Sequence, residues 1–171
     1  MRTFRASCGV DDTIATLATL AILANLVACG GSDGPTTPPN PSTKTVNVVF
    51  AGGTVAAEIA ALRAEREAGL MNRASIAADS GMLFVWAVDL NPVFAPFYMR
   101  NTHFDLSVAF LDAQKRVINI EDMVHDTETN HFATAPFRYA LEARRGWFAS
   151  HGVAAGSVAT FTLPAGVIID P

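Results

Sequence analysis

The sequence predicts a mainly β domain, a small barrel or sandwich of about eight short strands with two short helices, behind a signal peptide and a disordered linker. Three observations predict it. From Thr45 onward the apolar residues recur mostly with period two, the spacing of a half-buried strand. Turn-forming residues interrupt that pattern at short intervals. The windows with helical character, residues 62–68 and 146–151, are both short.

The elements follow in order. Residues 45–50 place Val46, Val48 and Phe50 on one face, Ala51-Gly52-Gly53 can turn, and residues 54–60 place Val55, Ala57 and Ile59 on one face, which reads as a hairpin. The segment 62–68 (LRAEREA) is a helix closed by Gly69, a suitable residue just past a helix end. Residues 81–86 (GMLFVW) form a continuous apolar run, predicting a strand buried on both faces. Two prolines make residues 91–96 a loop, and an extended run resumes at 97–100. Strands at 106–111 and 116–120 flank Asp112-Ala113-Gln114-Lys115, a hairpin connection. Residues 121–136 are a polar loop; residues 137–143 alternate as a strand; residues 157–163 close the chain as another.

The 171 residues suit one domain of ordinary size. Half of them are hydrophobic and 16% are charged, which excludes disorder throughout. The net charge is −4 with only two lysines, and no basic stripe exists to neutralise phosphates, so nucleic acid is excluded as a partner.

The N-terminus has its own logic. Arg2 and Arg5 precede an apolar stretch from residue 14 to 28, the length of a signal-peptide core and short of the roughly 20 residues a membrane-spanning helix needs. It ends in Leu26-Val27-Ala28-Cys29-Gly30, which looks like a bacterial lipobox. The expected organisation is a lipoprotein signal peptide at 1–28, a lipidated Cys29 with a Gly/Pro/Ser/Thr-rich linker at 29–44, and a globular β domain at 45–171. Asp11 and Asp12 depart from the pattern, because they cancel the leading arginines. Cys8 lies in the expected signal, so the mature chain keeps one cysteine and no intramolecular disulfide. The linker, semi-extended through its prolines, reaches on the order of 40 Å. Acyl chains on Cys29 hold the domain to a bacterial membrane outside the cytosol. Gly30 rather than Asp after the cysteine favours the outer membrane where a cell has one.

Several phrases are more specific. Gly69-Leu70-Met71 with Arg73 precedes Gly81-Met82-Leu83-Phe84; then come Tyr98-Met99-Arg100-Asn101-Thr102 and Leu106-Ser107-Val108-Ala109-Phe110-Leu111-Asp112; later come Arg138-Tyr139-Ala140-Leu141-Glu142 and Gly146-Trp147-Phe148-Ala149 with His151-Gly152. In this order and spacing the chain resembles domain of unknown function 192, over about residues 46 to 163. The resemblance implies a compact, mostly β, barrel-like fold with short helices, in small bacterial and archaeal proteins that are often exported or lipid-anchored. It implies no activity. The sequence departs from the family at Tyr98, where Trp is frequent, and at His103-Phe104 before Asp105, where a proline is usual and would stiffen the turn.

No nucleophile elbow, zinc-protease helix, paired-cysteine motif, phosphate loop or calcium loop occurs, so the sequence assigns no catalytic residue and no cofactor. His125 and His131, with Asp126 and Glu128 between them, carry the ligand types of a zinc site at an unusual spacing, and an exposed acidic loop reads equally from the same residues. Arg73, Arg100, Asn101 and Asp105, with His131 and Arg138, are candidate ligand-binding residues, since arginine and asparagine at a strand rim can hold a carboxylate or hydroxyl. Asn101 and Asp105 also suit loop backbone bonding. Trp86, Phe97, Tyr98, Trp147 and Phe148 line a groove or fill the core, and Met71, Met82 and Met99 offer thioethers to copper(I) or to core gaps. His151 with Ser150 and Glu142 or Glu128 contains the residue types of a hydrolytic triad. The expectation from these residues is a lipid-anchored domain outside the cytosol that binds a small molecule or an envelope protein without turnover. The alternatives are a hydrolase or metal-dependent enzyme using the His125–His131 loop, and a structural scaffold in the envelope.

Overall fold

The computed structural model describes residues 44–171. The expected signal peptide, Cys29 and the linker lie outside the described residues, apart from Lys44. Six strands form one mixed sheet: β1 (Thr45–Phe50), β2 (Gly53–Ala60), β3 (Ser80–Leu90), β4 (Leu106–Leu111), β5 (Val117–Met123) and β6 (Phe137–Arg144), in the spatial order β1-β2-β3-β6-β4-β5. The helices are α1 (Arg63–Ala68) and α2 (Trp147–Ser150). A 3₁₀ turn at Pro92–Phe94 begins the loop after β3, with Asn91 Oδ1 accepting from the Val93 amide. No helix among the described residues is long and apolar enough to cross a membrane.

Tight turns place the first two strands and the β4–β5 pair beside their chain neighbours. In the latter, the Asp112 carboxylate accepts from the Gln114 and Arg116 amides, and Lys115 takes the left-handed conformation that lets the chain return. The strands β2 and β3 run parallel, which a tight turn cannot achieve; α1 and the segment 69–79 supply the crossover. A six-residue helix is unstable alone. The Glu65 carboxylate accepts from the Ala61 and Leu62 amides, and Asp170 accepts from the Arg63 amide, so the entry to α1 is tied down from both sides. Gly69 leaves α1 with φ +47°, and its amide bonds back to Glu65.

The sheet carries a core on each face. Leu83, Val85, Ala109, Leu111, Leu141 and Ala143 point to one side, with Val48, Ile59 and Phe148. Met82, Phe84, Val108, Phe110 and Ala140 point to the other, with Met99 and Phe137. Central strands covered on both sides favour apolar residues at successive positions, and this is why residues 81–85 read as an unbroken apolar run and 106–111 as one interrupted only by Ser107, whose hydroxyl donates to Asp122.

The structure corrects several sequence expectations. Among the described residues six strands form rather than about eight. Residues 97–100 and 157–163 contribute isolated bridges only, Phe97 to His131, Val158 to Arg116 and Thr160 to Val49. The sheet order ends at β1 and β5 without direct pairing between them, so a closed barrel is not formed by the strands. Segment 156–160 hydrogen-bonds to β1 through Val49 and to the β4–β5 hairpin through Lys115 and Val117, occupying edges that would otherwise be unpaired. Strand β5 continues through Glu121 to Met123, where a polar loop is expected, because alternate residues along a sheet edge can face solvent. Strand β6 is buried at four successive residues, 140 to 143, rather than alternately, because β3 and β4 flank it.

Gly81 and Gly52 are the most crowded glycines: a Cβ at Gly81 would lie 2.0 Å from the Glu142 carbonyl oxygen, and one at Gly52 2.0 Å from that of His151. Gly81→Ala is therefore expected to destabilise the domain by about 3 kcal/mol or more, at or beyond the top of the usual overpacking range. Gly69→Ala meets only ordinary contacts, with Phe84 at 3.6 Å, and is expected to lose about 1–2 kcal/mol from its left-handed φ alone. Urea midpoints of the two variants check the ranking.

Candidate functional site

Among the described residues, the sheet face that carries Phe84 and Phe110 is not fully covered. A cavity of about 460 Å³ remains. Arg63, Arg66, Glu67 and Ala68 of α1 border it, with Gly69, Leu70 and Met71 after the helix. Phe84, Trp86 and Leu90 of β3 form one wall; Phe94 to Tyr98 and Thr102 form another; Glu142 of β6 and Pro171 complete the lining. The size lies within the range of small-molecule sites. The aromatic wall is ordered by its own packing. Phe97 meets Phe84 edge-on at 5.0 Å and Trp86 at 6.4 Å, and Phe84 stacks on Trp86 at 6.3 Å. At the mouth Phe94 is 84% exposed, an unusual position for a phenyl ring.

Glu142 is the chemically distinctive residue. It is 5% exposed and sits in register with Met82 on β3 and Val108 on β4, so no polar group stands opposite it in the sheet. No hydrogen bond reaches its carboxyl from any described residue, and its carboxyl still borders the cavity. Burial pushes its pKa up to about 8, against the pull of the Arg73 guanidinium. Arg73 is itself engaged: its Nη1 and Nη2 donate to the two Glu58 carboxylate oxygens at 2.5 and 2.9 Å.

The other charges around the cavity are committed. Arg63 pairs with Glu67 at 2.7 Å. Arg66 donates to the carbonyls of Ala61 and Val85, and its guanidinium lies 5.4 Å from the Trp86 ring centroid. Desolvation lowers the Arg66 pKa.

The residues singled out from sequence are dispersed. Arg73 stands behind Glu142 as an electrostatic neighbour. Arg100 donates to Glu128 at 2.9 Å and lies over the Tyr98 ring. Asn101 takes a left-handed turn, φ +54°, and its carbonyl accepts from the Asn72 amide. Arg138 pairs with Asp89 at 2.8 Å. Asp105 accepts from the His125 amide and ring and from Arg145, which depresses its pKa to about 2. His131 bridges to Phe97 through its backbone, and its ring stands 3.9 Å from Glu121. His125 and His131 thus face different carboxylates, and no group of three or more His, Cys, Asp or Glu among the described residues is arranged to hold a metal.

The triad candidates are also separated. His151 stacks on Trp147 at 4.1 Å and its Nδ1 lies 2.8 Å from the Trp147 carbonyl, Ser150 lies beside it, Glu128 is paired with Arg100, and no carboxylate among the described residues orients the imidazole. Of the aromatic set, Trp86, Phe97 and Tyr98 line the cavity, while Trp147 and Phe148 pack in the opposite core. Met71 lines the cavity; Met82 and Met99 are buried. In the sequence Glu142 stands out as the end of the phrase Arg138-Tyr139-Ala140-Leu141-Glu142 and as a triad partner for His151, not as a ligand-binding residue. Its signal is a lone carboxylate inside the apolar stretch Ala140-Leu141-Glu142-Ala143.

The described residues thus form a mixed sheet with a small cavity lined by aromatic side chains and one buried carboxyl. The model of domain of unknown function 192, described as Uncharacterized ACR, matches residues 46–161, and the chain belongs to this family. Two solved structures share the fold. One is a candidate transcription regulator from Sinorhizobium meliloti 1021, 28% identical with a TM-score of 0.63, covering 71% of this chain and 95% of that one. The other is a protein of unknown function from Novosphingobium aromaticivorans DSM 12444, 30% identical with a TM-score of 0.60, covering 68% of this chain and 83% of that one. A search of the curated proteins finds no match.

Glu142 and Asp105 impose opposite pH trends in separate windows. Glu142 has a raised native pKa, so the unfolded chain binds fewer protons between its ordinary value of 4.5 and about 8. Stability is expected to fall as pH rises through that window, by a few kcal/mol at most. Asp105 has a lowered native pKa, so its contribution is expected to be lost as pH falls from near 4 toward 2. Urea midpoints across pH check both, and Glu142→Gln is expected to remove the decline between pH 5 and 8 while leaving the acid limb intact.

Proposed function

We propose that this protein is a lipid-anchored domain outside the cytosol that binds a small molecule in the cavity between α1, β3 and the loop following β3. The cavity and its unsatisfied Glu142 carboxyl carry the reading. The Glu142 carboxyl makes no hydrogen bond to any described residue and borders an aromatic-lined cavity, so a molecule bound there can supply the partner that the protein does not. The phrases Gly69-Leu70-Met71, Phe84, Tyr98, Thr102 and Glu142, far apart in the chain, converge on this one cavity.

The anchor follows from Leu26-Val27-Ala28-Cys29-Gly30 and the linker after it, with the outer membrane as the favoured destination. The binding domain then acts at the end of a tether rather than in free solution. The regulator description of the Sinorhizobium neighbour is not extended to this chain, because a net charge of −4 and two lysines do not suit a phosphate backbone.

Two measurements test the reading. Fatty-acid labelling of the full chain in a bacterial host is expected to mark it, and Cys29→Ser is expected to abolish the label. A neutral naphthylamine probe is expected to bind the full chain saturably, with energy transfer from Trp86. Ala68→Trp, which places an indole at the cavity border, is expected to weaken that binding at least tenfold without changing the urea midpoint by more than about 0.5 kcal/mol in stability. Unlabelled protein removes the anchor; a probe insensitive to Ala68→Trp removes the cavity.

A further inference from the structure

Resting on the cavity reading above, the geometry points to the ligand class: we infer that the cavity takes an organic monocation with N–H donors and an apolar or aromatic body, its charged end on Glu142 and its body against Phe84, Trp86, Phe97 and Tyr98. Among the described residues Glu142 lines the cavity without a hydrogen bond or ion pair, whereas Glu67 is held by Arg63 and Pro171 accepts from Arg66. A ligand that brings both N–H donors and positive charge satisfies the carboxylate oxygens and offsets their desolvation together.

The walls select the same sign of charge. Aromatic faces carry negative potential and attract cations. Two of the four rings already hold a guanidinium of the protein, Arg66 at 5.4 Å from the Trp86 centroid and Arg100 at 5.2 Å from that of Tyr98. The surroundings of Glu142 leave room for one further cation. From β2 and the segment after α1 come Glu58 and Arg73, neutralising each other in a bidentate pair. From α1 come Arg63 and Glu67, also paired, and Arg66, which donates to oxygens of Ala61, Val85 and Pro171 and lies over the Trp86 ring. From β3 and β4 come Met82 and Val108 without charge.

The binding step balances simply. The carboxyl is mostly protonated at neutral pH; the cation binds the carboxylate form; the proton leaves to solvent and the ligand keeps its own. No covalent bond is made or broken other than the O–H of Glu142. With a native pKa of about 8, roughly 0.9 proton should be released per cation bound at pH 7 and roughly 0.1 at pH 9, and the affinity should rise about tenfold between them.

Calorimetric titration of the full chain with phenylethylguanidinium, phenylethanol and phenylpropanoate tests this, in buffers of differing ionisation enthalpy. The guanidinium keeps its charge throughout the range, as arginine does. It is expected to bind at least tenfold more tightly than either counterpart at pH 9, with the stated proton release and pH dependence. Glu142→Gln, which keeps the side-chain volume, is expected to lose tenfold or more in affinity for the cation, together with the proton release. Equal or tighter binding of the alcohol or the carboxylate overturns the inference, as does unchanged cation binding in Glu142→Gln. If none of the three binds while the naphthylamine probe still does, the ligand class falls and the cavity stands; if that probe fails too, both fall.

Discussion

The placement of β6 between β3 and β4 is the constraint on which the rest depends. Its backbone is paired on both edges, and its side chains from 140 to 143 are covered on both faces. Gly81 lets β3 approach the Glu142 carbonyl closely enough that no larger residue fits. A strand so enclosed would ordinarily carry apolar residues alone, and all but one of those from 140 to 143 are apolar. The exception, Glu142, is fixed by the pairing itself: no rotamer of a residue in the middle of a sheet can carry a carboxyl out to bulk water unless a channel is left for it. The cavity is the space left open beside it, and α1, the crossover segment and the loop after β3 are arranged around its rim.

This arrangement explains why so much of the protein's charge is paired near the cavity. Arg73 with Glu58 and Arg63 with Glu67 are partly exposed or exposed pairs of modest energetic weight. Their effect is on field rather than stability. Of these charges only the Arg73 guanidinium acts on the Glu142 carboxyl, and its pull does not overcome the desolvation. Had Arg73 been free to reach the carboxyl, its pull would oppose the desolvation more strongly and the group would titrate lower. Glu58 holds that guanidinium in a bidentate grip and leaves Glu142 poised close to neutral pH.

The fold was legible where burial and chain pattern coincide. The two-face burial of residues 81–85, the hairpin around Asp112 and the stop at Gly69 follow directly from local residue chemistry. What misled was distant. Residues 157–163 alternate well enough for a strand, yet their neighbours are β1 and the β4–β5 hairpin, which meet them at single bridges, so pattern alone could not show that a ladder fails to form. The same limit applies to the site. Arg100, Asn101, Asp105 and Arg138 were selected because their side chains can bind ligands, but each has a nearer protein partner or a turn to make. Glu142 was underweighted because a strand residue with a charge reads as the solvent-facing member of an alternating pair. Only the sheet order, with β6 inside it, turns that charge inward.

A buried carboxyl that stays protonated is a small cost to the empty protein, and this bears on how such a site discriminates. The neutral acid avoids most of the desolvation that an ion would suffer. Ionisation becomes favourable only when something replaces water as its partner, and an apolar molecule of the right shape does not do so. Shape is then read by the aromatic wall, and charge by the carboxyl, with the proton as the exchange between them. The exposed Phe94 at the mouth fits the same scheme, since its phenyl ring borders a cavity whose walls are otherwise aromatic, and covering it with ligand recovers apolar area that the empty domain leaves in water.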